Sequence, residues 1–282
     1  MKIAAVVPVY NRARVLGRAI ESIISQSYPL TEIIIVDDGS TDAAMDVARS
    51  FDDRRIRILH QAHKGAAAAR NLGWRSAQAD FIAFLDSDDT WSHEKVARQV
   101  ESFRDETLVA CFTGYEAFNH ENRYIPPAHS TDLLELQKAN ILGPTSISLI
   151  RRSALEDVGG FDESLPSCQD WDLWIKLRRI GNFRIVAVPL VQFEQLGQDR
   201  ISRNYTAVVE GHKQLFRRIL ADLSDDPNRP IVASMHAARM SLIMADCGKL
   251  ADATRYAAKS FFLRPNRYAL SLLIARLARL SL

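Results

Sequence analysis

Three apolar runs, each stopping at turn-forming or acidic residues and each followed by a helix-like segment, leave few folds open to this chain. The first, KIAAVVPVYNR, stops at Pro8 and leads into Tyr10 and Asn11. The second, Ile33 to Val36, ends on Asp37 and Asp38 and passes into a glycine turn with Ser and Thr caps. The third, FIAFLDSDDT, runs straight into Asp86, Asp88 and Asp89. The segments Leu16 to Gln26, Thr41 to Phe51 and Gly65 to Gln78 read as connecting helices. Strand, crossover helix, strand is the pattern of a parallel sheet with right-handed connections, and it brings the three strand ends to one edge. The expected fold is therefore α/β.

Carboxylates packed as closely as Asp86, Asp88 and Asp89 repel one another unless a cation lies among them, and hard oxygen ligands suit magnesium or manganese. Just past the carboxyl end of a strand is also where open α/β sheets bind ligands. A plainer reading makes the turn a solvated cap for the next helix, with Asp89 or Thr90 as N-cap. The second acidic turn, DDGSTD, favours the ligand reading. A dinucleotide-binding dehydrogenase needs GxGxxG after its first strand, and this chain has PVYNRAR there, so phosphates are expected on a metal rather than in a glycine cradle.

In order along residues 2–203 stand VVPVYNR, VDDGSTD, HKGAAAARNLG, FLDSDD, GGFDESL and CQDWDLW. This ordered set resembles the family 2 glycosyltransferases of GT-A fold. The resemblance implies a Rossmann-like, mostly parallel sheet flanked by helices. It implies a nucleotide-sugar-binding half at 1–105, an acceptor-binding half at 106–203 and a C-terminal helical extension at 204–282. Pro8, Tyr10, Asp37, Asp38, Arg70 and Asp86 would then face the donor. Tyr10 would stack on the base, and Asp38 or Asp37 would accept from its imide N–H. Asp86 would lie near the ribose and the metal, and Asp88 would ligate a manganese or magnesium ion bridging the diphosphate. Family habit favours a uridine or thymidine diphosphate sugar as donor and a glycan or lipid-linked glycan as acceptor, within polysaccharide biosynthesis.

The reaction so implied needs two kinds of help. The leaving diphosphate gains negative charge, which a cation at the Asp86-Ser87-Asp88 turn stabilises. Arg70, one turn into the helix opened by His63, Lys64 and Gly65, either adds positive charge near the donor or lies on the surface of an alanine-rich helix. The attacking hydroxyl needs a general base. Asp170 is the candidate, at the entrance of a helix whose Trp171, Trp174, Ile175 and Leu177 recur at helical spacing. Two tryptophans there offer a sugar-stacking face or simply core. The family motif usually has an acid where Gln169 stands, and Asp172 is the substitute candidate. Relatives also carry a metal-approaching His where this chain reads VQFEQLGQDRISRN, so water fills that position or metal dependence is weaker. The seven histidines show no metal-ligand spacing and read as surface or helix residues.

At 282 residues and 47% hydrophobic content, the chain can bury one large domain with an appendage. Three widely spaced cysteines argue against a disulfide framework and for a reducing cytoplasm. Neither a signal peptide nor a membrane span is expected. Residues 200–282 hold 14 Lys and Arg against 6 Asp and Glu, so the tail is the basic part. It reads as helices over Tyr205 to Leu223, Pro230 to Cys247 and Lys249 to Leu263. The last stretch, RPNRYALSLLIARLARLSL, sets Leu270, Leu273, Ile274 and Leu277 at helical spacing among arginines. It either packs as a cap or contacts the inner membrane face peripherally. The basic residues form no recognised nucleic-acid module. Two other functions stay open: a sugar-nucleotide-binding protein without turnover, and a phosphatase, since Asp86, Asp88 and Thr90 match DxDxT.

Overall fold

A computed structural model describes residues 1–118, 123–125, 130–194 and 204–280, with backbone alone at 118, 123–125 and 277–280. The elements run β1 (Ile3–Val9), α1 (Ala13–Ile24), β2 (Glu32–Asp37), α2 (Ala44–Arg49), β3 (Ile56–His60), α3 (Ala66–Ser76), β4 (Phe81–Phe84) and β5 (Thr90–Trp91). They continue α4 (Lys95–Val100), β6 (Leu108–Phe118), β7 (Arg123–Ile125), α5 (Leu133–Lys138), β8 (Ser148–Arg151), α6 (Arg152–Val158), α7 (Gln169–Ile180) and β9 (Asn182–Glu194). Four helices follow: α8 (Tyr205–Asp222), α9 (Arg229–Asp246), α10 (Leu250–Leu263) and α11 (Arg267–Leu280). The chain divides into two compact units. A sheet unit comprises Met1–Asp132, Leu142–Glu163 and Asp170–Gly197, and a helical unit comprises Leu133–Ile141, Ser164–Gln169 and Gln198–Leu282.

The sheet has the order β3-β2-β1-β4-β8-β6-β9-β5, with β7 beside β6. Parallel pairing joins β3, β2, β1 and β4, where helices connect successive strands, and again joins β6 to β9. β8 turns the sheet antiparallel against both β4 and β6. Strand β1 is buried along its whole length, as a strand covered on both faces must be. Pro8 fits there because β1 pairs with β4 only through Val6, so the missing N–H is not demanded by that neighbour. Strand β3 was not anticipated; its sequence, IRILH, is only partly buried and gives no continuous apolar run.

Helix α3 lies close on this sheet. A Cβ at Gly73 would stand 2.3 Å from Val6 Cγ1 and 3.2 Å from Val36 Cγ2, so glycine sets the approach. Two residues earlier, the buried Asn71 fixes the following segment. Its Nδ2 donates to Phe161 O (2.9 Å) and Glu163 Oε1 (2.7 Å), while its Oδ1 accepts from Trp74 Nε1 (2.9 Å) and Phe161 N (3.0 Å). The helical unit follows the expected segments within two residues at each end. Ala238, Ala257 and Leu272 form a core, with Leu242 and Leu273 against it. No described helix is long and apolar enough to cross a membrane.

Candidate active site

The ends of β1, β2 and β4 and the entry of α7 place three groups of candidate side chains within the sheet unit. At the end of β2, Asp37 is 6% exposed; its Oδ1 accepts from Ser40 N (2.8 Å), and its Oδ2 lies 3.0 Å from His60 Nδ1. Burial alone would raise its pKa, but the Ser40 and His60 interactions outweigh that and hold it below the ordinary carboxylate value. Asp38, equally buried, gathers the next loop. Its Oδ1 accepts from Gln61 Nε2 (2.7 Å) and Lys64 N (2.7 Å), its Oδ2 from Gly65 N (2.9 Å), and His63 Nδ1 stands 3.1 Å away. Gly39, at φ +81°, makes this turn possible, and its Cβ position is crowded by His63 N at 3.2 Å.

Above this loop, Tyr10 is 40% exposed, and its ring lies against His63 with centroids 4.1 Å apart. Asn11 takes the left-handed conformation (φ 52°), which asparagine tolerates, and its Oδ1 accepts from Thr41 N at 2.8 Å. The result is an open aromatic face beside two buried carboxylates. His60 and His63 are exposed, in line with the surface reading, and contact Asp37 and Asp38. His212 and His236 are buried helix residues of α8 and α9, whereas His120 and His129 lie outside the described residues.

The second group forms past β4. Asp86 Oδ1 accepts from Arg70 Nη2 at 2.5 Å, and Thr145 Oγ1 lies 3.2 and 3.3 Å from its two oxygens. Arg70 is 8% exposed, with its guanidinium 5.4 Å from the Phe161 ring, so it is a buried counter-charge and not a surface arginine. Asp86 N donates to Ser146 Oγ (3.1 Å), which in turn donates to Asp89 Oδ2 (2.5 Å). Asp89 is fully buried and also accepts from Glu194 N at 3.0 Å. Burial, then the charges of Asp86 and Asp88, push its pKa well above the ordinary value. Asp89 is therefore a structural acid rather than a helix cap.

Asp88 carries its backbone oxygen 2.9 Å from Arg18 Nη2, and Arg18 also pairs with Glu194 (3.2 Å). Among the described residues, no three His, Cys, Asp or Glu side chains converge as a closed metal cage. Two carboxylates one residue apart instead suit a hard divalent ion that takes the rest of its shell from substrate oxygens and water.

The third group lies at α7. Asp170 stands in the first turn, its Oδ1 accepting from Trp171 N at 2.7 Å. Tyr115 is near enough that burial first, and the Asp170 charge second, raise the phenol's pKa. Asp172 is 7% exposed and pairs with Lys176 at 3.0 Å. Of the two readings of the tryptophans, core is the one the structure bears out: Trp171 and Trp174 are 4% and 0% exposed, with Trp174 edge-on to Phe112 and donating to Gly143 O. Both are core. Of residues 191–204, which the resemblance pointed to for a metal-approaching His, 195–203 lie outside the described residues. Sequence reading missed Gln61. It assigned the loop from Asn140 to Ser146 to acceptor choice, whereas Thr145 and Ser146 of that loop contact the acidic turn, for which GPTS carried no signal.

Comparisons with known proteins bear on the fold and the family. An uncharacterized glycosyltransferase of Rickettsia felis is 34% identical over 183 residues, 62% of this chain, although that match spans only 30% of the longer relative. The Escherichia coli UDP-Glc:alpha-D-GlcNAc-diphosphoundecaprenol beta-1,3-glucosyltransferase WfgD is 27% identical over 232 residues, covering 80% of this chain and 87% of that protein. The crystal structure of S. aureus TarS 1-349 in complex with UDP-GlcNAc superposes with a TM-score of 0.70 at 20% identity, over 98% of this chain and 89% of that one. That likeness gives the fold, a GT-A sheet. The profile described as Glycosyl transferase family 2 matches residues 4–159, more than half the chain, and takes in both acidic turns, so this chain belongs to glycosyl transferase family 2.

Proposed function

We propose that the protein transfers a sugar from a nucleoside-diphosphate sugar to a hydroxyl of a glycan or lipid-linked acceptor, with inversion at the anomeric carbon. The observation that carries this reading is the acidic turn Asp86-Ser87-Asp88, held by Arg70 and Thr145 past the end of a parallel strand and backed by buried Asp89. The uridine nucleotides named with TarS and WfgD support a uridine or thymidine diphosphate donor. The GlcNAc-diphosphoundecaprenol in WfgD's name supports a lipid-linked acceptor.

On this reading residues 1–105 hold the donor, 106–203 the acceptor, and 204–282 are a helical extension. The base stacks on the exposed Tyr10 ring, near the Pro8 turn of β1. Its imide N–H donates to Asp38, replacing the Gln61 amide, while Asp37 stays ionised beside it. Asp86 meets the ribose and, with Asp88, holds a magnesium or manganese ion. That ion, when bound, offsets charge on the departing diphosphate. Arg70 keeps Asp86 oriented and lends positive charge. Asp170 takes the proton of the attacking hydroxyl as the new bond forms at the anomeric carbon.

The test is Asp170→Asn, which keeps the shape and removes the base. Turnover should fall about 10²–10⁴-fold, the usual contribution of a positioned base, with donor affinity nearly unchanged. Near-normal turnover would move the role elsewhere, and a retained anomeric configuration by nuclear magnetic resonance would exclude a single displacement.

A further inference from the structure

Within the helical unit, α8, α9 and α10 line a half-open pocket of about 410 Å³ whose lining divides by chemistry. Its wall is apolar: Phe216 and Met240 are buried, and Leu220, Ala233 and Ala237 complete it. His236 adds a flat surface, its ring stacked on Phe216 at 3.8 Å and 15°, with Nε2 donating to Gln137 O at 2.7 Å. Burial holds that imidazole near a pKa of 4, so it is neutral at physiological pH. The rim carries Lys213 and Arg217 from α8 and Lys259 from α10, with the phenol of Tyr256 beside them.

No acid lines this cavity, and none of the three cations makes an ion pair or hydrogen bond with any described residue. Lys213 and Arg217 are four residues apart on one helix, a spacing at which like charges destabilise it. An anion among the three would relieve that repulsion. The volume lies within the range of about 300–1,000 Å³ typical of small-molecule sites. A simple inorganic anion would leave the apolar wall unused, and a plain hydrocarbon would leave the cations unpaired.

We propose that this cavity binds an amphiphilic phosphate, a phosphate ester of a long-chain alcohol. Its phosphate lies among Lys213, Arg217 and Lys259, and the first carbons of its chain lie on Phe216, Leu220 and Met240. The site is independent of the transferase reading, since it involves neither acidic turn nor Asp170.

Calorimetric titration of the full chain with decyl phosphate, decanol and inorganic phosphate tests this, each below its aggregation concentration. Decyl phosphate should bind at least tenfold tighter than either of the others and weaken as salt rises. The triple variant K213Q/R217Q/K259Q should lose at least tenfold, and Ala233→Phe, which fills the cavity, should lose binding with the rim intact. Circular dichroism checks that both variants stay folded; Ala237→Leu replaces Ala233→Phe if that one does not, and K213Q/R217Q replaces the triple variant. Equal affinity for inorganic phosphate, equal affinity for decanol, unchanged affinity in the folded variants, or no binding of decyl phosphate would each overturn the proposal.

Discussion

Ser146 links more of the site than any other small side chain. It accepts from Asp86 N and donates to Asp89, so one hydroxyl connects the Asp86-Ser87-Asp88 turn to the buried acid behind it. Ser146→Ala should cost about 1–3 kcal/mol in urea unfolding, the penalty for stranding buried polar atoms, and should weaken donor binding. Asp89→Asn should cost much less than Asp89→Ala, since the fold already favours the uncharged form. Lys95 is a second buried ionisable group. Its Nζ donates to Gln99 Oε1 (2.8 Å) and Ser148 O (3.2 Å) and lies 4.2 Å from the Trp91 ring, and burial lowers its pKa from 10.5 to about 7. Between those values the unfolded chain binds the extra proton, so this group makes stability rise with pH from about 7 to 10.5. Lys95→Met should remove that rise, read as the difference in slope between variant and parent melts.

At the scale of elements, the last helix divides the leucines that the sequence set on one face. Ala269 and Leu272 are buried and Leu273 packs beside them, whereas Leu270 and Ile274 are 43% and 57% exposed, near Phe262 at 79% and Tyr268. One side of the segment thus packs as a cap, and the other leaves Leu270 and Ile274 exposed a few residues from Arg264 and Arg267. Replacing Phe262, Leu270 and Ile274 with serine should halve or further reduce sedimentation with anionic vesicles while leaving the melting temperature within a few degrees. Unchanged sedimentation would leave the cap as the helix's whole role. The tail helices were legible because their 3.6-residue apolar period and the breaks at Pro227, Gly248 and Pro265 are local signals. Strand β3 was not, because a short edge strand is selected by pairing with β2 rather than by its own pattern.

The whole molecule should respond to acid partly through its helical unit. His212 donates from Nδ1 to Val208 O and His236 from Nε2 to Gln137 O, and burial lowers both pKa values from 6.5 to about 4. The unfolded chain takes up these protons first as pH falls. Stability from the pair is thus complete above about pH 6.5 and is lost progressively toward pH 4, by up to roughly 3 kcal/mol for each group. His212→Asn and His236→Gln keep a donor near each position without the titration. Together they should flatten the fall in melting temperature between pH 6.5 and 4.

By itself the sequence determined the parallel βα order, the two acidic turns at strand ends, the entry of α7 at Asp170 and the four terminal helices. Each depends on neighbours within a few positions, where apolar period, turn residues and charge spacing act directly. Tertiary structure decided the partners: Arg70 with Asp86, Thr145 and Ser146 with the same turn 57 to 60 residues away, and Gln61 with Asp38. It also decided that Trp171 and Trp174 are core and that Asp89 turns inward. A carboxylate in a string of three looks alike at every position until the sheet fixes which of them loses water. That loss is set by packing from distant segments, and no local pattern records it.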